Sequence, residues 1–193
     1  MKKKICIILL IITNSICLAQ NKPAKIILKT GDTISGVIGK FKTKSFKYKK
    51  YANGKSTEIN FSKIKKLIIQ YSKKERQTYH FFKLKESEKY VAVQKLILGK
   101  EVHLYGILNH FNSTGAGGIS INTSSMQYFL KRANEMTLTN MGYYNPPFGK
   151  LKERTLDYFS DCSSLVEKIK KKEFRIRYGL EKIVIYYNNK CHK

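Results

Sequence analysis

Cysteine, histidine and clustered lysine are the residue types in this 193-residue chain with the most chemistry to offer. Cys162 and Cys191 stand near its end, separated by a segment whose apolar residues recur at helical spacing. If the helices carrying them form an antiparallel hairpin, the start of one lies beside the end of the other and the two thiols meet. In an exported protein such a pair reads as a disulfide. Closing a loop of about thirty residues would stabilise the fold by roughly 3.5 kcal/mol on the chain-entropy estimate. A metal is the competing chemistry for Cys191 with His192, helped by His80, His103 or His110, but the spacings match no standard zinc pattern. His103 falls in an apolar stretch, where a packed imidazole is the simpler reading. No cofactor is expected.

Lysine is the second resource. Lys40, Lys42, Lys44, Lys47, Lys49 and Lys50 crowd eleven residues and interleave with Phe41, Phe46 and Tyr48, a mixture that can hold a polyanion by charge and stacking. Strand alternation would turn the rings away from Lys47 and Lys49, so a solvated face explains the same pattern. Lys168, Lys170, Lys171, Lys172, Arg175 and Arg177 form a second cluster, near a helix C-terminus where cations offset the macrodipole. The formal charge is +25, carried by 33 lysines and only 5 arginines. Arginine's planar fork is the better recogniser of phosphate, and the abundance of Ile, Asn, Tyr and Lys makes compositional drift a source of the charge.

Catalytic constellations are thin. Thirteen acids are present, with no Gly-x-Ser-x-Gly elbow and no His-Glu-x-x-His. Asp157 and Asp161 are four apart, but Asp161 is better used as a capping residue near a helix start. Gly115-x-Gly117-Gly118 lacks the Gly-Lys-Ser/Thr of a phosphate loop and runs into a strand-like Ile119-Ser120-Ile121, which leaves a flexible loop.

The elements that must position these residues begin with an address. Lys2, Lys3 and Lys4, an apolar run from Ile5 to Ile12 and Cys17-Leu18-Ala19 have the form of a secretory signal peptide, expected at 1–19, and no transmembrane span is expected after it. Cleavage would remove three lysines and no acid, lowering the formal charge from +25 to +22. Residues 20–145 read as an antiparallel β domain. Hairpins are expected at Gly31-Asp32, with Ile34, Gly36 and Ile38 on one face, and at Asn53-Gly54, a strong two-residue turn signal. A helical turn at Ser62 to Ile64 leads to strands at Lys66 to Tyr71, Gln77 to Leu84, Tyr90 to Leu98, Glu101 to Leu108 and Tyr128 to Arg132. His110 to Ser125 is expected as a long exposed loop. Pro146-Pro147 opens a helical segment, 146–193, packed on the sheet and closed by the disulfide. Its helices are Leu151 to Phe159, one capped by the box Ser164-x-x-Glu167, and one with Leu180, Ile183, Val184 and Tyr187 in a single stripe. The fold class is α+β, an N-terminal antiparallel curved sheet or small partial barrel followed by three short C-terminal helices. Lysine-heavy strand faces argue against an outer-membrane barrel.

Tyr158-Phe159-Ser160-Asp161-Cys162, followed by Leu165 and Ile169, then Ile183-Val184 and Tyr187-Asn188 ahead of Cys191, resembles the C-terminal signature of a family of uncharacterised exported bacterial proteins. The Gly31-Asp32-Thr33-Ile34 hairpin and the Tyr128 to Arg132 strand are similar to that family's earlier part, whereas Ser163 stands where many members carry proline. The resemblance implies an exported β-then-α protein and no particular activity. Together these readings point to a non-enzymatic binding or scaffolding module of the cell envelope, at an anionic envelope polymer or lipid head groups. A basic polyanion binder for extracellular nucleic acid or anionic polysaccharide is the alternative, and a hydrolytic enzyme trails both.

Overall fold

In a computed structural model the described residues are 22–114, 120–144 and 150–191, with backbone alone for 111–114 and 120–122. The expected leader, the Gly115 to Gly118 loop, Pro146-Pro147 and His192 lie outside them. Ten strands form one mixed sheet: β1 (Lys22–Leu28), β2 (Thr33–Phe41), β3 (Ser45–Lys49), β4 (Ser56–Asn60), β5 (Ile64–Gln70), β6 (Arg76–Leu84), β7 (Tyr90–Ile97), β8 (Val102–Thr114), β9 (Ser120–Arg132) and β10 (Thr137–Tyr143). They run β10-β9-β8-β7-β6-β5-β1-β2-β3-β4, and β10 also meets β6 in parallel through Thr137↔Lys83 and Leu138↔Leu84. Three helices follow, α1 (Leu151–Tyr158), α2 (Ser163–Lys170) and α3 (Glu181–Lys190), so the architecture is α+β.

Local chemistry accounts for the turns. Gly31 sits at φ 101 between β1 and β2, a conformation glycine adopts without a Cβ clash, and its N–H donates to the Leu28 carbonyl at 3.1 Å. Asn60 accepts from the Ser62 N–H at 2.9 Å and caps the 3-10 turn Phe61–Lys63, the helical turn expected there. Between β3 and β4 the Asn53-Gly54 pair closes no two-residue hairpin. The register Lys49↔Ser56 leaves a six-residue loop, and Gly54 ends a turn by donating to the Tyr51 carbonyl at 3.0 Å.

Two further expectations are corrected by the register. β2 places Ile34 and Val37, not Ile34, Gly36 and Ile38, against the same core, because one extra residue is inserted opposite β1 between Ala24↔Val37 and Ile26↔Ile34. Gly36, at φ 68, allows that bulge, and a one-residue slip exchanges faces. Of the loop expected from His110 to Ser125, residues 110–114 and 120–125 are instead ladder: β8 and β9 pair continuously from Val102↔Arg132 to Thr114↔Ser120. Serine, threonine and asparagine read as loop formers in isolation, but a partner strand satisfies their backbone groups just as well.

The buried side chains fall into three groups. One lies on β1, β2, β3, β5 and β6 around Ile26, Phe46, Ile64 and Leu67. A second joins β6 to β10 through Val93, Tyr105, Phe129 and Leu138. The third is where the helices meet the sheet, with Leu104 and Leu130 against Phe159, Leu165, Val184 and Tyr187. The α3 stripe is buried as its spacing predicts: Leu180, Ile183, Val184 and Tyr187 are all closed to solvent. Each contributes roughly 1.5–3 kcal/mol relative to exposure, which a ten-residue helix needs, being too short to persist alone.

Candidate ligand-binding clefts

Alternation along β6 sends Gln77 and Tyr79 to one face and Thr78 and His80 to the other. Across the next ladder Tyr79 stands opposite Gln94 of β7. The Tyr79 hydroxyl donates to Gln77 Oε1 at 2.6 Å, and Gln94 Nε2 donates to the same oxygen at 2.8 Å. Gln77 Nε2 in turn donates to Glu75 at 2.8 Å, and the Tyr71 hydroxyl lies 3.0 Å from that of Tyr79. Phe41, from the end of β2, meets the Tyr79 ring edge-on with centroids 4.9 Å apart. Phe41, Tyr71, Gln77, Tyr79 and Gln94, with Ala92, Ile107, Leu108 and His110, line a cleft of about 550 Å³. Burial, reinforced by the bond to Tyr71, pushes the Tyr79 phenol well above its ordinary pKa. It therefore stays a neutral hydrogen-bonding group at any physiological pH.

A second, more open cleft of about 440 Å³ meets the first at Gln77 and Gln94, and its remaining lining is Lys66, Arg76, Thr78, His80 and Lys95. Cross-strand register assembles it: Lys66 of β5 lies directly opposite His80, and Arg76 opposite Gln70. Among the described residues none of Lys66, Arg76 and Lys95 takes part in an ion pair. Burial, then the charges of Lys95 and Lys66, hold the His80 imidazole below its ordinary pKa. An anion entering here would meet three cations, two amide side chains and a histidine held neutral. Among the described residues no carboxylate lines either cleft.

The residues singled out from sequence are distributed differently. Lys40, Lys47 and Glu58 stand side by side across β2, β3 and β4, while Lys49 faces Ile38 and Ser56. Phe46 is buried on the opposite face with its ring over Gly39, where a Cβ would come within 2.5 Å of it. Lys42 and Lys44 belong to the turn between β2 and β3, and the Lys50 ammonium lies 5.9 Å from the Tyr51 ring. The six lysines line a ribbon on the edge hairpin and none lines either cleft. His103 is half-buried beside Tyr105, its imidazole kept below the ordinary pKa by burial and by Lys131 and Lys95. No group of three or more His, Cys, Asp or Glu side chains suited to a metal occurs among the described residues. Comparison with protein-family models, with curated proteins and with solved structures found no match.

The residues around Cys162 and Cys191 form a clamp. Cys162 and Cys191 are joined in a disulfide with Cα atoms 5.6 Å apart. Asp161 is not a helix cap, and Ser164 caps nothing: α2 starts at Ser163 without a side-chain cap. Instead the Asp161 carboxylate accepts from the Tyr187 hydroxyl at 2.6 Å and pairs with Arg132 at 3.1 Å. Arg132 also donates to the Tyr187 oxygen at 2.5 Å and to the Tyr158 carbonyl at 2.9 Å, and lies against both tyrosine rings. Asn188 accepts from the Glu101 and Val102 N–H groups and donates to the Val102 and Val184 carbonyls. Gly99 leaves space for it, since a Cβ there would fall 2.2 Å from Asn188 Nδ2.

Sequence reading missed the clefts altogether. The one available signal was the alternation of Gln77 and Tyr79. Their union with Lys66, Gln94 and Lys95 depends on the register of three strands.

Proposed function

We propose that this chain is an exported envelope protein that binds an acidic polysaccharide without transforming it. The observation that carries the reading is an aromatic cleft and a cationic one whose linings share Gln77 and Gln94. Sugar rings offer C–H faces that pack on Phe41 and Tyr79, hydroxyls that suit the two glutamines, and carboxylates or sulfates that suit Lys66, Arg76 and Lys95. Glycoside hydrolysis would require two carboxylates flanking the scissile bond, and the lining of the clefts supplies none. The disulfide supports an oxidising compartment, and no described helix is long and apolar enough to cross a membrane. We further propose that the leader is cleaved after Ala19, that the C-terminal clamp is the structural content of the family resemblance, and that β6 to β10 form a partial barrel. The return of β10 to β6, with Val93, Tyr105, Phe129 and Leu138 grouped on one face, supports the last point.

Calorimetry of the exported protein with polygalacturonate and with neutral dextran tests the function. Polygalacturonate should bind, more weakly with added salt. Arg76→Ala with Lys95→Ala should cost roughly a hundredfold or more in affinity, about 1.5–3 kcal/mol for each of the two charged hydrogen bonds lost, and Tyr79→Ala should weaken it further. Equal binding of the two glycans would sink the proposal. Preferential binding of single-stranded DNA, abolished by alanine at Lys40, Lys47 and Lys49, would replace it with the edge-hairpin polyanion reading.

A further inference from the structure

Positions 102–130 contain no Lys, Arg, Asp or Glu, in a chain that is 26% charged. About seven charges would be expected in that stretch at the average composition, and the segment coincides with a structural oddity. The ladder between β7 and β8 ends at Gly106, and that between β10 and β9 ends at Gln127. Beyond those points residues 108–114 and 120–126 pair, among the described residues, only with each other. They form a two-stranded ribbon running roughly 25 Å beyond these ladders, at about 3.3 Å per residue, and diverging from Tyr90–Val93 of β7, which stay paired with β6. Half of the backbone N–H and C=O groups along each of its strands therefore point to an edge with which no strand of the described residues pairs. On the β8 side that edge opens directly onto the aromatic cleft, whose wall includes Ile107, Leu108 and His110.

Free edges invite strand addition, and proteins block it with lysine, proline or inward charge. This chain has 33 lysines and 3 prolines, and places none of either along the ribbon. We infer that the β8 edge is a pairing surface for the same edge of a second copy, joined antiparallel about a two-fold axis. Charge decides the occupant. Two exported molecules, each of formal charge +22 once Lys2, Lys3 and Lys4 are removed from the +25 of the full chain, repel, and cross-strand side chains lie about 5 Å apart, where like charges are destabilising. The uncharged ribbon is a long segment that a second copy can approach at that spacing without opposing lysines, and it is self-complementary in composition.

Sedimentation of the exported protein across the micromolar range tests this. A reversible dimer is expected, tightening with added salt as the repulsion is screened. That sign is opposite to the polysaccharide contact, so failure of one proposal is distinguishable from failure of the other. Leu108→Lys with His110→Lys should raise the dissociation constant roughly tenfold or more by setting like charges across the two-fold. Ser124→Lys, one strand further from the contact, should change it less, and thiol titration should find the disulfide intact in each variant. A wild-type chain that stays monomeric at high salt, or a dimer indifferent to lysine at 108 and 110, overturns the inference.

Discussion

Asp161 shows how a single acid can be assigned the wrong work when only its neighbours in sequence are known. Burial favours its neutral form, but the hydrogen bonds from Tyr187 and Arg132 outweigh that and hold the carboxyl below its ordinary pKa. A carboxyl depressed in the folded state stabilises the fold above the unfolded pKa of about 4 and loses that contribution as pH falls further. Asp161→Asn should therefore lower the melting temperature by a few degrees at neutral pH, a modest change because the pair is partly exposed. The gap from wild type should close below about pH 4. Equal gaps at both pH values in thermal melts would show that the carboxylate's charge is not what matters. His80 carries the opposite kind of linkage. Its imidazole is kept neutral by burial and by Lys95 and Lys66, and a bound anion would raise its pKa. Affinity for polygalacturonate should then rise severalfold as pH falls from about 7 to 5. His80→Gln should flatten that rise in a calorimetric pH series, and an unchanged slope would remove His80 from the site.

Among the elements, the three helices depend on what they are fastened to. α2 and α3 are short, and α2 has no side-chain cap. Their order comes from the buried stripe, the disulfide and the Asn188 hydrogen bonds to the start of β8. Replacing Cys162 and Cys191 together by serine should cost about 3.5 kcal/mol on the loop-entropy account. For a chain of this size that is a fall of roughly ten degrees in melting temperature. The double variant should melt the helical end first, read as loss of protection of α3 amides in hydrogen exchange while β5 to β7 stay protected. Uniform loss of protection across the sheet would mean that helices and strands unfold as one unit. The same reasoning explains why the α3 stripe and the cysteine pairing were legible beforehand. Both follow from short-range spacing, at i, i+3, i+4 and i+7 for the stripe and from the antiparallel return of adjacent helices for the thiols.

At the level of the whole molecule, charge and its absence divide the surface into different uses. The six lysines from Lys40 to Lys50 were conspicuous because they are close in sequence. Lys66, Arg76 and Lys95, which converge on one cleft, were not, because they come from three strands. The ribbon of β8 and β9 was misread for a related reason: serine, asparagine and glycine carry loop propensity, and only the opposing strand turns 107–114 and 120–126 into ladder. Residue order alone determined the leader-like start, the succession of strands then helices, the identity of the cysteine pair and the buried face of α3. Each of these rests on periods of two or 3.6 residues or on local composition, which act within a few positions of the chain. Tertiary structure decided the bulge at Gly36, the Arg132–Asp161–Tyr187 clamp, the clefts around Gln77 and Gln94, and the bare edge of β8. Those depend on register between strands and on contacts such as Arg132 to Tyr187, 55 positions apart in sequence, set by the collective burial of side chains rather than by the preferences of any one segment.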